Sequence, residues 1–294
     1  MIRLPSPSAC LAWGRRSASS CSSSDDLLPF PWPSSKVRAL EAELRAAPEE
    51  TGVVITHGAV DSNHCRTLAF MAASRDLRCR LVLHGDRSSQ ASRRALDVYG
   101  DLGAETMVVD PGSIGDALSE LRRNAVSAGD EVHVIAGGCH TPAAARAHRD
   151  TAVPVLRDLE PDAVVVTSGT GAIQGGLVAA VAQLGLGTRV IGVSIARSAE
   201  RGTGPVRQAA GWAGAPASSI DFRDGYRDGG YGTWGAWTAS AVALGWRHGL
   251  PLDFTYTGKA FAAMRDLAVT ELRGSRVLFW HTGGIWNYMQ QRTS

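Results

Sequence analysis

The stretch VVITHGAVDSNHCRTLAFM, from Val53 to Met71, sets Asp61, Ser62, Asn63 and His64 where an apolar strand gives way to a helix. A helix start offers unpaired backbone N–H groups and the positive end of a dipole, so this turn suits a carboxylate or a phosphate. A second stretch, VVVTSGTGAIQGG (Val164–Gly176), ends a strand in Gly169, Thr170 and Gly171 before another helix. There the missing side chains let an anion reach the main chain, and Ser168 and Thr170 add hydroxyls. A tight strand-to-helix turn would need the same glycines, so spacing alone leaves binding and packing both open. If the loop holds phosphate, two ligands compete. Gly169-x-Gly171-x-x-x-Gly175 is a loose dinucleotide pattern, and the next strand, RVIGVSIARS, has no acidic residue for a ribose but offers Arg197 for a 2′-phosphate. The rival is a single phosphate on pyridoxal phosphate, which needs a lysine for its Schiff base.

Lysine is rare in this chain. Lys36 follows a Pro-rich turn in DDLLPFPWPSSKVRALEAEL and opens a helix, where the dipole lowers an amine's pKa. Lys259, in YTGKAF, is the other candidate.

The elements that position these residues alternate. VVIT, RLVLHG, ETMVVD and EVHVIAGG read as strands, separated by stretches with helical spacing of small and apolar residues. DAVVVTSGTG, AIQGGLVAAVAQLG and RVIGVSIAR continue the rhythm, and RVLFWHTGG closes it. Uninterrupted apolar strands alternating with helices argue for parallel sheets covered on both faces. The Gly- and Pro-rich residues 201–237 read as an extended excursion over the surface or a pocket.

With 294 residues the chain can form one large α/β domain or two smaller ones. Its 30 basic and 28 acidic residues leave a net charge of +2, which points to no nucleic-acid or anionic-membrane partner. No apolar run approaches the roughly 20 residues of a membrane span. Five cysteines without a CxxC pair argue against a disulfide framework or structural zinc. The N-terminal CLAWGRRSASSCSSSDD is Ser- and Arg-rich like a transit peptide, but DDLLPFPWP follows at once and favours a cytoplasmic enzyme.

SSKVRALE, GAVDSNHCRTLA, SGTGAIQGGL, LGLGTRVIGVSIARS, GGYG, LDFTYTGKAFAAMRDL and VLFWHTGG occur in that order. In types and spacing they resemble the D-cysteine desulfhydrase/1-aminocyclopropane-1-carboxylate deaminase family, from about Asp25 onward. The resemblance implies a fold type II pyridoxal-phosphate enzyme of the tryptophan synthase β-like group. Its fold would be two three-layer α/β/α domains with mostly parallel sheets and the cofactor in the cleft between them. Residues 1–45 and 158–294 would form the large cofactor-binding domain and 46–157 the small one; a homodimer is implied as well.

By the same resemblance Lys36 carries the cofactor imine. Ser62, Asn63 and His64 line the substrate carboxylate and the cofactor hydroxyl. Gly169, Thr170, Gly171, Ala172 and Ile173 cup the phosphate, Tyr231 and Tyr256 stand over the reacting carbon, and Thr282 meets the pyridine nitrogen. The implied substrate is a small amino acid, which loses its α-proton and a β-leaving group to give a keto acid and ammonia.

Ring-opening deaminases of the family carry Glu after the tyrosine of YxGK and Leu between His and Gly of the last motif. Thr257 and Thr282 stand there and favour the desulfhydrase-like branch. Other positions depart from the family. PSS precedes the lysine in place of Gly-Gly-Asn, Ala172-Ile173 replaces Gly-Thr, and Trp234 and Trp237 follow GGYG. Indoles beside a pocket suit a larger or more apolar substrate than D-cysteine, with Trp234 as a substrate contact. Outside the SNH turn, histidines show no metal-ligand spacing and read as surface or strand-end residues, and Cys65 reads as core.

Overall fold

The computed structural model describes residues 34–216 and 219–292, so the Ser- and Arg-rich N-terminal segment, with Cys10 and Cys21, lies outside the described residues. Two compact units emerge among the described residues, one holding 36–144 and 289–292 and the other 34–35 and 145–288. The smaller unit thus includes the first helix, which the sequence reading had grouped with the larger domain.

The smaller unit runs α1 (Lys36–Ala46), β1 (Thr51–Ala59), α2 (Asn63–Ala73), β2 (Arg78–His84), α3 (Gln90–Asp101), β3 (Glu105–Val108), α4 (Ile114–Ser127) and β4 (Glu131–Val134). Its strands form a parallel sheet in the order β3-β2-β1-β4. Helices α2, α3 and α4 join successive strands and return the chain to the same end of the sheet, as parallel pairing requires. Val54, Leu68, Leu81, Leu83 and Tyr99 fill the core on one face, and Val53 and Ile55 fill the other. Adjacent β1 residues point to opposite faces, so both must be apolar. Tyr99 is fully buried, and its hydroxyl donates to the Val60 carbonyl at 2.9 Å, fixing the path of the chain after β1.

The larger unit contains most of α5 (Pro142–Leu159), then β5 (Ala163–Ser168), α6 (Ala172–Leu184), β6 (Arg189–Ser194), α7 (Ala199–Trp212), β7 (Asp221–Arg223), α8 (Ala236–Arg247), α9 (Thr257–Val269), β8 (Val277–Trp280) and the start of α10 (Ile285–Gln291). The sheet is again parallel, in the order β7-β6-β5-β8. Every residue of β5 is buried. Val165 packs with Ile191, Phe261 and Phe279 on one face; Val164 and Val166 pack with Leu177 and Leu278 on the other. The chain is therefore built from two parallel-sheet α/β domains.

One expectation fails. Within the supposed excursion, residues 201–212 belong to α7 and 221–223 form β7. Gly202, Gly204 and Pro205 resemble breakers, but packing overrides them. A methyl at Gly202 would collide with the Phe222 ring, and Val206, Ala209 and Ala210 are buried. The proline forfeits one ladder hydrogen bond, which the buried face offsets.

Among the described residues no helix is long and apolar enough to cross a membrane, and no group of three or more His, Cys, Asp or Glu is placed to hold a metal ion.

Candidate active site

In the smaller unit, Lys36 is the first residue of α1 and its Nζ donates to the Gly138 carbonyl at 2.7 Å. Burial lowers its amine below the ordinary lysine range. The carbonyl belongs to a tight turn at Gly137–Cys139, in which Gly138 (φ 65°) and Cys139 (φ 58°) both take left-handed backbone. His57 Nε2 accepts from the Gly137 N–H at 3.2 Å, and a side chain at 137 would run into that imidazole.

The Asp61–His64 turn follows β1. Ser62 is the N-cap of α2, with extended backbone, and its Oγ accepts from the Cys65 N–H at 3.4 Å. Its hydroxyl proton stays available to a ligand. Arg66, one turn into α2 and buried, donates to Asn63 Oδ1 at 2.7 Å, to the Asp61 carbonyl at 3.1 Å and to Gln290 Oε1 at 2.9 Å. With the amide oxygen accepting from Arg66, the Asn63 side chain keeps its N–H₂ as the donor group.

His64 is buried, and its Nε2 lies 2.8 Å from Thr56 Oγ1, which also lies 2.8 Å from the Ile135 carbonyl. The carbonyl can only accept, so the single proton of Thr56 goes to it. The hydroxyl then accepts from Nε2–H, leaving Nδ1 as a lone-pair acceptor, buried and without a partner among the described residues. Burial, reinforced by the charges of Lys36 and His57, holds this imidazolium far below its usual range, so the ring is neutral.

In the larger unit, β5 ends at Ser168, whose buried Oγ has no partner among the described residues. A Cβ at Gly169 would lie 3.1 Å from Ile195 Cδ1. Gly171 has φ +98°, and a Cβ there would lie 2.9 Å from the Val206 backbone nitrogen. Glycine is required on both counts. No side chain caps α6, and its ladder begins with Gly175 N–H to the Gly171 carbonyl at 2.8 Å. The first-turn N–H groups of Ala172 and Ile173 precede that bond and have no intrahelical acceptor.

Thr282 Oγ1 lies 3.0 Å from Thr167 Oγ1, and its carbonyl accepts from the Ser35 N–H at 3.3 Å, one peptide bond before Lys36. His281 Nδ1 accepts from Gly283 N–H at 3.2 Å while its Nε2–H donates to the Pro251 carbonyl at 2.8 Å. His281, directly after β8, is half-buried and held at both ring nitrogens, as a strand-end residue, whereas His148 in α5 is buried. Tyr231 and Tyr256 join hydroxyl to hydroxyl at 2.8 Å with rings nearly perpendicular, at 82°. Trp234 is 40% exposed and stacks on Phe254 at 4.8 Å; Trp237 is 65% exposed.

Thr56, Arg66, Thr167 and Asp253 carry weight that sequence reasoning missed. Asp253 is fully buried and accepts from the N–H groups of Thr255, Tyr256 and Thr257 and from the Thr257 hydroxyl. An Asp four residues before α9 was the available signal. The chain's two lysines are also sorted. Lys259 is fully buried and donates to three carbonyls, whereas Lys36 donates to the Gly138 carbonyl and has a lowered pKa.

These features fit pyridoxal phosphate: in the larger unit, uncapped N–H groups at the start of α6 and a serine hydroxyl without a partner among the described residues, and in the smaller unit a lysine of lowered pKa. Comparison with known proteins agrees. A model of the pyridoxal-phosphate dependent enzyme family matches residues 25–283. A D-cysteine desulfhydrase of Klebsiella pneumoniae is 30% identical over 285 residues, covering 88% of this chain and 85% of that protein. A Pyrococcus horikoshii protein, provisionally named a 1-aminocyclopropane-1-carboxylate deaminase, is 30% identical over 275 residues, covering 89% and 83%. A crystal structure of an ACC deaminase homologue superposes with a TM-score of 0.77 at 29% identity, covering 88% of this chain and 83% of that one. These findings displace the dinucleotide reading of the glycine loop. The chain belongs to the pyridoxal-phosphate dependent enzyme family and is related within it to the D-cysteine desulfhydrases and ACC deaminases.

Proposed function

We propose that this enzyme is a lyase that removes the α-proton of a small amino acid and expels a β-substituent; the enamine so released takes up water to give a keto acid and ammonia. Pyridoxal phosphate, when bound, supplies an electron sink that acidifies the substrate Cα–H. The chain supplies the rest. Ser168, Gly169, Thr170, Gly171 and the N–H groups of Ala172 and Ile173 hold the phosphate. Ser62 and Asn63 present donors to the substrate carboxylate and the cofactor hydroxyl, and His64 presents an acceptor. Lys36 anchors the cofactor and then, as a free amine of lowered pKa, moves the proton at Cα. Tyr231 or Tyr256 protonates the departing group, a thiolate sulfur if the substrate is a cysteine. Trp234 is assigned to the substrate side chain, favouring one larger than that of cysteine.

The observation that carries elimination over ring opening is the state of Thr257 and Thr282. The Thr257 hydroxyl donates to Asp253 Oδ1 at 2.6 Å and accepts from the Asp253 N–H at 2.9 Å, so it is spent on capping and no acid stands after Tyr256. Thr282 pairs with the neutral Thr167 hydroxyl. Set against the pyridine nitrogen, a hydroxyl tempers the sink and suits elimination more than transamination. The homodimer and cytoplasmic location expected from the sequence belong to this proposal, as does the assignment of cofactor binding to the larger domain.

The test is a screen of D- and L-amino acids with β-leaving groups, together with 1-aminocyclopropane-1-carboxylate, for keto acid and ammonia. Release from β-substituted amino acids is expected, with a loss of roughly a hundredfold or more in Lys36→Ala. Turnover of the cyclopropane alone, or turnover indifferent to Lys36, overturns the proposal.

A further inference from the structure

Lys259, in the first turn of α9, is fully buried, and each of its three N–H donors has an oxygen. Its Nζ lies 3.0 Å from the Ile195 carbonyl, 2.6 Å from that of Arg227 and 2.6 Å from that of Gly230. An ammonium has three donors and a neutral amine two, so the arrangement is complete only while the charge is present. Asp228 and Asp253 supply the negative charge nearby.

The three carbonyls belong to consequential places. Ile195 follows β6, and its side chain packs against Gly169. Arg227 and Gly230 flank a turn in which Asp228 (φ 49°), Gly229 (φ 86°) and Gly230 (φ 141°) all have positive φ, and which the Gly230 N–H closes by donating to the Arg227 carbonyl at 3.0 Å. The Gly230 carbonyl immediately precedes Tyr231, whose hydroxyl meets that of Tyr256. Tyr256 itself stands at the N-terminus of the helix that carries Lys259. A single side chain thus ties this turn, the first turn of α9 and the end of β6 together.

We propose that Lys259 is a positioning residue, an internal cation whose ammonium holds the 227–230 turn so that Tyr231 and Tyr256 meet as a proton-donating pair. The inference rests on the proposed role of that tyrosine pair. Removing the ammonium frees the turn and leaves the Lys36 anchor intact. Burial brings the amine down to about 8, so wild-type protein loses the third donor as the pH rises past that value.

The test uses full-length, cofactor-loaded protein and hydrogen–deuterium exchange of the 227–234 segment, a readout that needs no turnover. Lys259→Ala is expected to keep the borohydride-sensitive visible band, lose protection in this segment and lose roughly tenfold or more in turnover. Ethylammonium, entering the vacated three-carbonyl cage, should restore protection and turnover, whereas ethanol of similar size should not. Lys259→Met keeps the volume without donors and serves if the alanine variant fails to fold; it should lose protection and resist rescue. Wild-type protection in the methionine variant, or equal rescue by ethanol, overturns the inference. Absence of the visible band from wild-type protein overturns the Lys36 proposal instead, so the two failures are distinguishable.

Discussion

The turn from β1 to α2 and the turn from β5 to α6 both carry a parallel strand into a helix, but they are built from different materials. The first is made of side chains: Ser62 caps the helix, Arg66 fixes Asn63, and Thr56 fixes His64. The second is made of backbone: Gly169 and Gly171 admit their neighbours at close range and nothing caps α6. Both keep buried polar atoms without a partner among the described residues, His64 Nδ1 and Arg66 Nε in the first and Ser168 Oγ in the second. A buried, unpaired polar atom is costly, so its retention in both turns marks where a ligand completes the network. The side-chain turn selects by donor and acceptor pattern; the backbone turn selects by charge and space.

The contrast can be broken by substitution, and the largest effect should come from the backbone turn. Gly171→Ala forces an L-residue to φ +98° and sets a methyl 2.9 Å from a main-chain nitrogen that cannot swing away. The left-handed backbone alone costs about 1–2 kcal/mol. A fall of roughly tenfold or more in cofactor affinity should follow, read by fluorescence titration. Gly58→Ala, on the side-chain turn, meets Cys65 Sγ at 2.8 Å and Ser62 Oγ at 3.0 Å, both able to rotate. It should cost less, about 1 kcal/mol in denaturant unfolding. Equal losses from the two alanines would erase the distinction.

Thr56→Val comes next. It strands His64 Nε2 and the Ile135 carbonyl and should cost about 1–3 kcal/mol of stability. Nitrogen-15 NMR should show His64 as the Nε2–H tautomer in the wild type and lose that signature in the variant. Ser168→Ala should be milder and opposite in kind. Unfolding of the apoprotein should be unchanged, because the hydroxyl has no partner there to lose, while cofactor binding should weaken by about 0.5–1.5 kcal/mol.

The smallest effect is one of pH. Burial lowers the Lys36 amine from the ordinary 10.5, so the native state releases this proton before the unfolded chain does. Its contribution to stability therefore rises with pH between the lowered value and 10.5. In the apoprotein, amine-directed labelling of Lys36 should reach half-maximal rate below pH 10.5.

Much of this was legible in the chain. Val164, Val165 and Val166 are apolar in succession because β5 is covered on both faces, and that run alone called for a parallel sheet. Gly169 and Gly171 stood out for the same reason they work, the missing Cβ. Positions whose partners are distant in sequence were not legible. Thr56 reads as one more strand residue, and only the Ile135 carbonyl 79 positions away reveals that it sets a tautomer. Lys259 sat in a conspicuous motif, yet its role depends on carbonyls up to 64 residues away. Helix α7 hid behind Gly202 and Pro205, because a local breaker rule does not register the Phe222 ring that needs the space.

Since the chain has two lysines, the cofactor's anchor can be located without ambiguity. Borohydride reduction of the loaded enzyme, followed by proteolysis and mass spectrometry, should place a phosphopyridoxyl adduct on the Lys36 peptide and leave the Lys259 peptide unmodified. An adduct on Lys259, or none on either lysine in protein that turns substrate over, would contradict the account at its base.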